Sequence, residues 1–479
     1  MRKALILILL SIIFGNIMCA EENDDKFLNA VVKINAIYSK ANFTQPWLNH
    51  PQFHGSGSGV VIRGNRILTT AHNIADATYI TVEKRNDANS VSAKVEMVDH
   101  QCDLAILSVS DKDFFEDIVA FEIGDTPPTK TEVLAVGYPI GGSGLSITKG
   151  IISRIEITTY NHSMVNSFLA AQVDAALNPG NSGGPIIFSG KIVGIAFQGC
   201  GNGIGYMIHS EIIKHFLKDS EDGIIDGFGD LQASLLSLEN PDTRRFFKMK
   251  DDQSGVLVYN VTRIPGMERQ LQDNDIILAI NDKKLMNNGN LNSNILFTTE
   301  IHSKQMGEHI KLKILRNAQE KEISITPIKY SGKILPMIYN ARPSMYMIGG
   351  LVFTPLSYNY LNELSVEDQL PPNLIEEIGK EKIRSDEQVI VLSEVLGDEV
   401  NLSYQGFAYS ILEEINNKRI YNIKELAETI DNLKDEFVVF KFKDKSSIIL
   451  SLNKMKSAQS RIMHNYGLQS DRSNDLMKK

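Results

Sequence analysis

The chain has 479 residues, 43% of them hydrophobic, and a formal net charge of −9 at pH 7. This length and composition predict a globular protein of roughly three domains at about 150 residues each. The acidic balance argues against nucleic acid as a partner, because phosphate contacts need clustered basic side chains.

The chain begins with the pattern of an export signal. Two basic residues precede an apolar run over residues 4–14, and Ala20 is followed by acidic residues. The run is shorter than the roughly 20 residues that span a bilayer, so we expect residues 1–20 to be a cleaved signal peptide. Export to the periplasm is the expected outcome. Two alternatives stay open: lipidation of Cys19, which the preceding residues fit poorly, and an uncleaved anchor with peripheral membrane association.

The pattern after the signal is typical of a β domain. From Val31 to Phe216, short apolar runs are separated by Gly, Asn and Pro. Even spacing of this kind predicts a β-barrel or sandwich rather than parallel strands joined by helices. The run from Ser210 to Leu217 then has apolar residues at helical spacing, with Ser210 as its cap. We expect this helix to end a domain that covers residues 21–219.

Three motifs in this domain carry nucleophilic chemistry. An apolar strand ends in small residues at His72, which lets an imidazole reach a serine across a cleft as general base. Asp103 starts a second apolar strand, where its carboxylate can orient the histidine Nδ1–H. Ser182 lies in a Gly-Asn-Ser-Gly-Gly string, which suits a nucleophile in a tight turn. Each residue alone is more often structural, but the order His, Asp, Ser is that of the chymotrypsin fold, so we predict a catalytic triad.

The turn around the serine also predicts an oxyanion hole. We expect Gly180, Asn181 and Ser182 to form this hole, with the backbone N–H groups of Gly180 and Ser182 as donors. Gly183 and Gly184 leave space for the acyl group and the next strand, because a residue without Cβ permits positive φ and close backbone approach. An isolated string of this kind could equally be a surface turn.

Together with these motifs, several stretches resemble the protease domain of the HtrA/Deg (protease Do) family over residues 56–218. The additional matches lie at Ser56–Ile62, Gly137–Gly142, Thr148–Ser153 and Gly203–Ile208. His209 stands where the family usually has proline, which affects the local backbone but not the triad. The overall pattern is most similar to the plant-type Deg proteases and their bacterial relatives.

The resemblance implies a mainly β fold, with a chymotrypsin-like double β-barrel protease domain followed by two PDZ-like α+β domains. It implies ATP-independent degradation of misfolded or unfolded polypeptides in protein quality control and the stress response, without a cofactor. Homotrimers or larger assemblies, and a resting state with a disordered oxyanion loop, are also implied. Leu177 and the strand Ile195, Ala196 and Phe197 are expected to line an apolar S1 pocket suited to aliphatic P1 residues.

An acidic, glycine-rich linker over residues 218–230 leads into a further domain, expected at 224–328. Its β runs resemble a PDZ domain, in which a loop captures a peptide carboxylate and a neighbouring strand edge pairs with the peptide. Ser254, Gly255 and Val256 are the candidates for that loop, and peptide C-termini are the expected ligands. The alternative is a PDZ domain whose groove is filled internally.

The last domain, expected at 335–455, resembles the degenerate second PDZ domain of the plant-type Deg proteases. A long insertion at about 357–384 interrupts it. We expect a role in oligomerisation or regulation rather than peptide capture. Residues 456–479 form a polar tail, for which helical and disordered alternatives stay open.

Cysteine use gives little further guidance. Cys102 lies beside the triad aspartate and Cys200 beside the pocket. The two could pair in an oxidising compartment, but sequence spacing does not place their Cα atoms within reach, and we expect two separate thiols. His100 and Cys102 have no second ligand pair nearby, so no metal site is expected.

Two functions besides general proteolysis stay open. The chain could act as a holdase chaperone that captures unfolded polypeptides without cutting them, although an intact triad argues against a pure binder. It could also be a regulatory protease with a single target, which the sequence does not distinguish from a protease of broad specificity.

Overall fold

The computed structural model describes residues 27–477, apart from residues 88, 143, 200–203, 263, 265–266, 292–294, 330–331 and 368–369. The chain divides into two compact units. The first unit comprises the chain up to Ile37 and His54–Tyr330, and the second unit comprises Tyr38–Phe53 and Ser331–Lys479. The predicted signal peptide and its cleavage site lie outside the described residues.

The first unit starts with a closed six-stranded barrel in the strand order β1-β2-β3-β6-β5-β4. Its strands are β1 (Val31–Tyr38), β2 (Phe53–Ile62), β3 (Arg66–Thr69), β4 (Ala77–Glu83), β5 (Ser90–Asp99) and β6 (Leu104–Val109). Alternate side chains of β1 are buried, including Ile34 and Ala36, as expected for a strand with one face on a barrel interior.

A second closed barrel follows, in the order β10-β11-β12-β9-β8-β7. Its strands are β7 (Glu132–Gly137), β8 (Ser146–Thr159), β9 (Ser167–Val173), β10 (Pro185–Phe188), β11 (Lys191–Gly199) and β12 (Gly205–His209). The interior is packed with small and branched side chains, among them Val133, Ile152 and Ile186. The two barrels confirm the predicted double β-barrel.

The predicted helix after the second barrel is α1 (Ser210–Asp219). Ile213 and Phe216 are fully buried on its apolar face. The expectation that Ser210 caps the helix is wrong, because His209 is the N-cap and its Nδ1 accepts a hydrogen bond from the Glu211 N–H at 3.3 Å. The Ser210 hydroxyl instead accepts from the Thr126 N–H at 2.8 Å, which attaches the helix to the barrel.

The rest of the first unit is a smaller sheet, the first module, in the order β13-β14-β15-β17-β18 with β16 paired to β15. Its elements are β13 (Ser234–Ser237), α2 (Pro241–Phe246), β14 (Val256–Tyr259), β15 (Ile276–Ile280), β16 (Lys283–Lys284), α3 (Thr298–His302), β17 (Ile310–Arg316) and β18 (Gln319–Ile325). Val258, Ile277 and Ile314 are fully buried in its core.

The second unit contains a sheet in the order β19-β20-β21-β22-β24-β25, with β23 paired to β22. Its elements are β19 (Tyr346–Ile348), β20 (Leu351–Pro355), α4 (Tyr358–Glu367), α5 (Pro372–Ile375), β21 (Ile390–Val395), β22 (Ser410–Ile415), β23 (Lys418–Arg419), α6 (Ile423–Asn432), β24 (Phe437–Phe442), β25 (Ser447–Ser451) and α7 (Leu452–Tyr466). The insertion expected at about 357–384 contains α4 and α5.

The polar C-terminal tail is folded in the described residues. Residues 456–466 belong to α7, whose Ala458 and Ile462 are buried against the sheet. Beyond this helix, Leu468 and Leu476 are also buried. Helical structure is therefore the correct alternative for the start of the tail. In the described part of the chain, no helix is both long and apolar enough to cross a bilayer.

Candidate active site

His72 and Asp103 are hydrogen-bonded at one end of a cleft in the first unit. His72 lies in a single 3₁₀ turn directly after β3, and Asp103 precedes β6, the strand paired with β3. The His72 Nδ1–H donates to Asp103 Oδ2 at 2.7 Å, and the His72 backbone N–H donates to Oδ1 at 2.8 Å. Asp103 has a φ of +57°, a left-handed conformation that aspartate tolerates better than most residues.

The charge of Asp103 sets the proton affinity of His72. Burial alone would lower the His72 pKa, but the Asp103 carboxylate, through its charge and its hydrogen bond, raises the pKa above its ordinary value. Asp103 is 1% exposed and directs both carboxylate oxygens at His72. The pair therefore holds the imidazole with Nδ1 protonated, which leaves Nε2 as the proton acceptor.

Ser182 also lines this cleft and follows a tight turn. The turn is closed by a hydrogen bond from the Asn181 N–H to the Asn178 carbonyl at 3.0 Å, and Gly180 has a φ of +97°. Asn181 was predicted to contribute to the oxyanion hole, but this bond occupies its backbone N–H. Within the described residues, the N–H groups of Gly180 and Ser182 make no backbone hydrogen bond. They remain the candidate oxyanion donors.

Gly183 is required by the space around the serine. Its φ is +84°, and a Cβ at this position would lie 2.1 Å from the Ser58 carbonyl oxygen. Its N–H donates to the Ala196 carbonyl at 2.8 Å, so the nucleophile turn is attached to β11. Only glycine fits here without displacing the backbone.

Ser58, which the sequence did not identify as a site residue, connects the serine turn to both barrels. Its hydroxyl donates to the Gly180 carbonyl at 2.7 Å and accepts from the Tyr138 N–H at 2.8 Å. Its backbone N–H donates to the Ser182 carbonyl at 2.8 Å. The Asn73 side-chain amide donates to the same Ser182 carbonyl at 2.8 Å. This buried network fixes the nucleophile turn beside His72.

The three predicted triad residues line one cleft with a volume of about 730 Å³. Among its other lining residues are Leu177, Ala196 and Phe197, three of the four predicted for the S1 pocket. Ile195 does not line the cleft. Its side chain is fully buried.

The shape of the pocket near Leu177 depends on Gly205. A Cβ on Gly205 would lie 2.4 Å from Leu177 Cδ1, so the absence of a side chain lets Leu177 lie across β12. Ile204, also in the cleft wall, adds another aliphatic side chain. The part of the cleft near Leu177 is therefore lined by apolar side chains.

Two cleft residues were not predicted from the sequence. Asn161 and His162 lie in the loop between β8 and β9 and line the cleft beside His72. The His72 and His162 ring centroids are 6.2 Å apart, and His162 Nε2 lies 2.9 Å from His100 Nδ1. Burial lowers the pKa of both His100 and His162 to about 4. A single histidine in a polar loop gives no sequence signal for this position.

Cys102 is a buried thiol next to Asp103 in the chain. Its Sγ lies 3.5 Å from Asp99 Oδ2, and burial raises the pKa of the thiol. Cys200 lies outside the described residues, as does Gly203. Within the described residues, no group of three or more His, Cys, Asp or Glu side chains is arranged to hold a metal ion.

The predicted carboxylate-binding loop of the first module does not border a free strand edge. Gly255 donates its N–H to Asn287 Oδ1 at 3.2 Å, and the Ser254 hydroxyl donates to the Leu285 carbonyl at 2.6 Å. Val256 begins β14, which is paired with β13 on one side and β15 on the other. The Gly255 N–H and both edges of β14 are thus already paired within the module, so Val256 offers no free strand edge to a peptide. The two end strands of this sheet are β13 and β18.

The sheet of the second unit has its corresponding end strand covered. The C-terminal segment pairs with β19, because the Met347 N–H donates to the Asp471 carbonyl at 2.7 Å and the Ser473 N–H donates to the Met345 carbonyl at 3.0 Å. Arg472 makes two hydrogen bonds to Asp431 on α6, at 2.8 and 3.0 Å. This arrangement leaves β19 occupied by the chain itself.

Models of known domain families match three parts of the chain. A trypsin-like peptidase domain matches residues 57–195, and two PDZ domain models match residues 246–326 and 334–475. A solved structure described as HtrA-type protease AlgW with decapeptide is 23% identical, covers 64% of this chain and 98% of its own, and has a TM-score of 0.50. That likeness supports the fold alone.

Relatives cover nearly the whole chain. Putative protease Do-like 3, mitochondrial, of Arabidopsis thaliana is 34% identical over 95% of this chain and 81% of its own length. Protease Do-like 2, chloroplastic, of the same plant is 34% identical over 96% of this chain and 77% of its own length. The expectation of a periplasmic location is wrong, since these names point to an organelle. The chain belongs to the HtrA/Deg (protease Do) family of serine endopeptidases, with a trypsin-like peptidase domain followed by two PDZ domains.

Proposed function

We propose that this serine endopeptidase cleaves unfolded or misfolded polypeptides through an acyl-enzyme on Ser182. The observation that carries the proposal is the hydrogen bond of 2.7 Å from His72 to Asp103, at a cleft that Ser182 also lines. A pre-oriented His–Asp pair beside a serine is the arrangement that activates a hydroxyl nucleophile.

The reaction begins when Ser182 Oγ attacks the scissile carbonyl and His72 Nε2 takes its proton. Asp103 holds the imidazole in the required tautomer and stabilises the imidazolium that forms. The N–H groups of Gly180 and Ser182 donate to the oxyanion, and each donor of this kind contributes roughly 2.7–4 kcal/mol to transition-state stabilisation. His72 returns the proton to the leaving amine, and water then hydrolyses the acyl-enzyme through the same groups.

The cleft favours an aliphatic P1 side chain. Leu177, Ile204 and Phe197 contribute apolar walls, and Leu177 restricts the pocket where it crosses Gly205. An extended, unfolded segment can present such a side chain, whereas a folded substrate buries most of its aliphatic residues. The chemistry requires neither ATP nor a cofactor.

The two PDZ domains have different proposed roles. In the first module, β13 is one of the two end strands of the sheet and is the proposed acceptor of peptide C-termini by β-augmentation. In the second unit, the C-terminal segment covers β19, which favours regulation or assembly of a homo-oligomer over peptide capture. An organellar location is proposed from the names of the relatives.

Cleavage of unfolded casein by the chain from Glu21 onward tests the proposal, with Ser182→Ala as the matched control. A fluorophosphonate probe, located by mass spectrometry, reports on the nucleophile independently of substrate choice. We expect casein loss and a probe adduct on Ser182, with neither in the variant.

The same experiment separates the alternative functions. An adduct on Ser182 without casein loss would indicate a protease of narrow specificity. The absence of an adduct, together with suppressed aggregation of the casein, would contradict the enzymatic proposal and favour a holdase.

A further inference from the structure

The loop that connects the first two strands of the protease barrel is long and belongs to the second unit. Strand β1 ends at Tyr38 and β2 begins at Phe53, so residues 39–52 connect two strands that are neighbours in the barrel. Connections between such strands are usually about two to five residues long. The segment Tyr38–Phe53 is grouped with Ser331–Lys479 in the second unit.

A carboxylate of α4 binds the backbone of this segment. Glu363 Oε2 accepts hydrogen bonds from the Phe43 N–H at 2.7 Å and the Thr44 N–H at 3.0 Å. Glu363 Oε1 lies 2.9 Å from His50 Nε2, near the other end of the segment. Hydrogen bonds to a carboxylate are about twice as strong as those between neutral groups. One side chain therefore holds both arms of the loop.

Two aromatic side chains of the segment pack against the rest of the second unit, Ser331–Lys479. Phe43 is 7% exposed and belongs to an apolar cluster with Tyr360 and Leu361 of α4. Trp47 packs against a separate cluster that includes Met347 and Ile462. Burying a large aromatic side chain contributes several kcal/mol, so the segment fits the surface through apolar contact as well as through hydrogen bonds.

Backbone carbonyls of the segment are also bound. The Ser393 hydroxyl donates to the Thr44 carbonyl. Arg342 donates to the Pro46 carbonyl at 3.3 Å and to the Asn49 side chain. Capture of both N–H and carbonyl groups is typical of a segment that is a permanent part of a fold, because buried backbone groups need partners.

The base of the loop is closed by its own contacts. The rings of Tyr38 and Phe53 stack with their centroids 4.7 Å apart, and the Asn42 N–H donates to the Leu48 carbonyl at 3.1 Å. An isolated antiparallel bridge pairs Ala41 with Asn49. Contacts within the segment thus hold its two arms together.

We propose that Tyr38–Phe53, the loop between the first two protease strands, is a docking element to which the rest of the second unit, Ser331–Lys479, binds. The chain then passes between the two units at three positions: before Tyr38, after Phe53 and after Tyr330. Ser331–Lys479 is therefore held by the β1–β2 loop as well as by the linker that follows the first PDZ domain. It remains bound to the protease when that linker is cut.

The test uses the full chain in a Ser182→Ala background, with a recognition sequence for a site-specific protease inserted between Tyr330 and Ser331. After cleavage, we expect the two fragments of the parent to elute together in size-exclusion chromatography. Phe43→Ala should separate them, with the dissociation constant raised about a hundredfold or more, since loss of a buried phenylalanine costs at least about 3 kcal/mol. Leu48→Ala is the matched control, because Leu48 lies in the same segment and is 44% exposed.

A second variant keeps the proposal testable if Phe43→Ala fails to fold. Glu363→Gln conserves size but removes the charged acceptor, and it should weaken fragment association about tenfold or more. Separation of the fragments in the parent would overturn the proposal. The proposal would also be overturned if the fragments of Phe43→Ala and of Glu363→Gln both eluted together and dilution did not separate them. The readout is fragment association and not proteolysis, so its failure is distinct from failure of the proposed catalytic function.

Discussion

His100 Nδ1 lies 2.9 Å from His162 Nε2, and this hydrogen bond joins the two barrels beside the active site. His100 is in the short loop that leads to Asp103, and His162 is in the loop between β8 and β9. The pair therefore connects the segment that carries the predicted triad aspartate to a wall of the substrate cleft. Both imidazoles are neutral at pH 7, since burial lowers each pKa to about 4.

His162→Ala should impair substrate binding more than chemistry. The imidazole lines the cleft beside His72 and bonds to His100, whereas His72 is held by Asp103, so the loss of His162 changes mainly a wall of the cleft. We expect KM for a fluorogenic peptide to rise about tenfold, with kcat changed less than threefold. Val165→Ala, an exposed change in the same loop, is the control. A fall in kcat at constant KM would contradict this assignment.

The pH dependence of kcat/KM should report on the His72–Asp103 pair. The proposed base must be neutral to accept the Ser182 proton, and Asp103 raises the pKa of His72 above its ordinary value of 6.5. Activity should therefore increase with pH through an apparent pKa above 6.5 and then reach a plateau. Because the folded-state pKa is raised, the pair's contribution to stability is complete below pH 6.5 and is lost as pH rises through the folded-state pKa.

Asp103→Asn provides the matching variant. It removes the charge and the hydrogen-bond acceptor that hold the imidazole tautomer, so we expect kcat to fall on the order of 10³–10⁴-fold. The apparent pKa of the remaining activity should move down. An activity profile with an unchanged pKa would mean that Asp103 is not the partner that sets the His72 proton affinity.

His302 should make the first unit sensitive to acid. Burial, with a smaller contribution from His215, lowers the His302 pKa from 6.5 to about 4. Between these values the unfolded chain binds more protons, so this contribution to stability is complete above pH 6.5 and is lost as pH falls toward 4. The slope is about 1.4 kcal/mol per pH unit for one proton.

Replacement by an aromatic residue without a titratable group tests this sensitivity. The His302 ring lies 4.8 Å from Phe168, so His302→Phe conserves an aromatic contact. We expect its thermal midpoint to fall less than that of the parent between pH 7 and pH 4.5. His309→Phe, at an exposed position, is the matched control. Equal acid sensitivity in the parent and the His302 variant would rule out His302 as the titrating group.

Local strings of residues identified His72, Asp103 and Ser182 as candidates, and the structure brings all three to one cleft. The segments that carry these residues are short, and the 3₁₀ turn at His72 and the glycine-rich turn at Ser182 can be recognised locally, although distant residues such as Ser58 hold the second turn in place. The barrels were also predictable, because alternation in strands such as β1 reflects a single buried face.

Features that depend on contacts between distant residues were missed. His100 and His162 are separated by 62 positions, and Phe43 and Glu363 by 320, so no local pattern predicts either contact. The pairing of Val256, a candidate for the carboxylate-binding loop, on both sides of its strand is a further feature that no local pattern predicts. A β run looks identical in sequence whether its neighbours leave an edge free or, as with β13 and β15, occupy both sides.

Ser58→Ala should weaken the nucleophile turn although the side chain lies outside the triad. The change leaves the Gly180 carbonyl and the Tyr138 N–H without their hydroxyl partner. Two buried polar groups that lose a partner cost about 1–3 kcal/mol each, and the Gly180 peptide becomes free to rotate away from the oxyanion position. We expect the rate of fluorophosphonate labelling at Ser182 to fall at least about tenfold. Ser92→Ala, at an exposed position of β5, should label at the parent rate, and equal rates for both variants would show that the Ser58 hydroxyl does not position the turn.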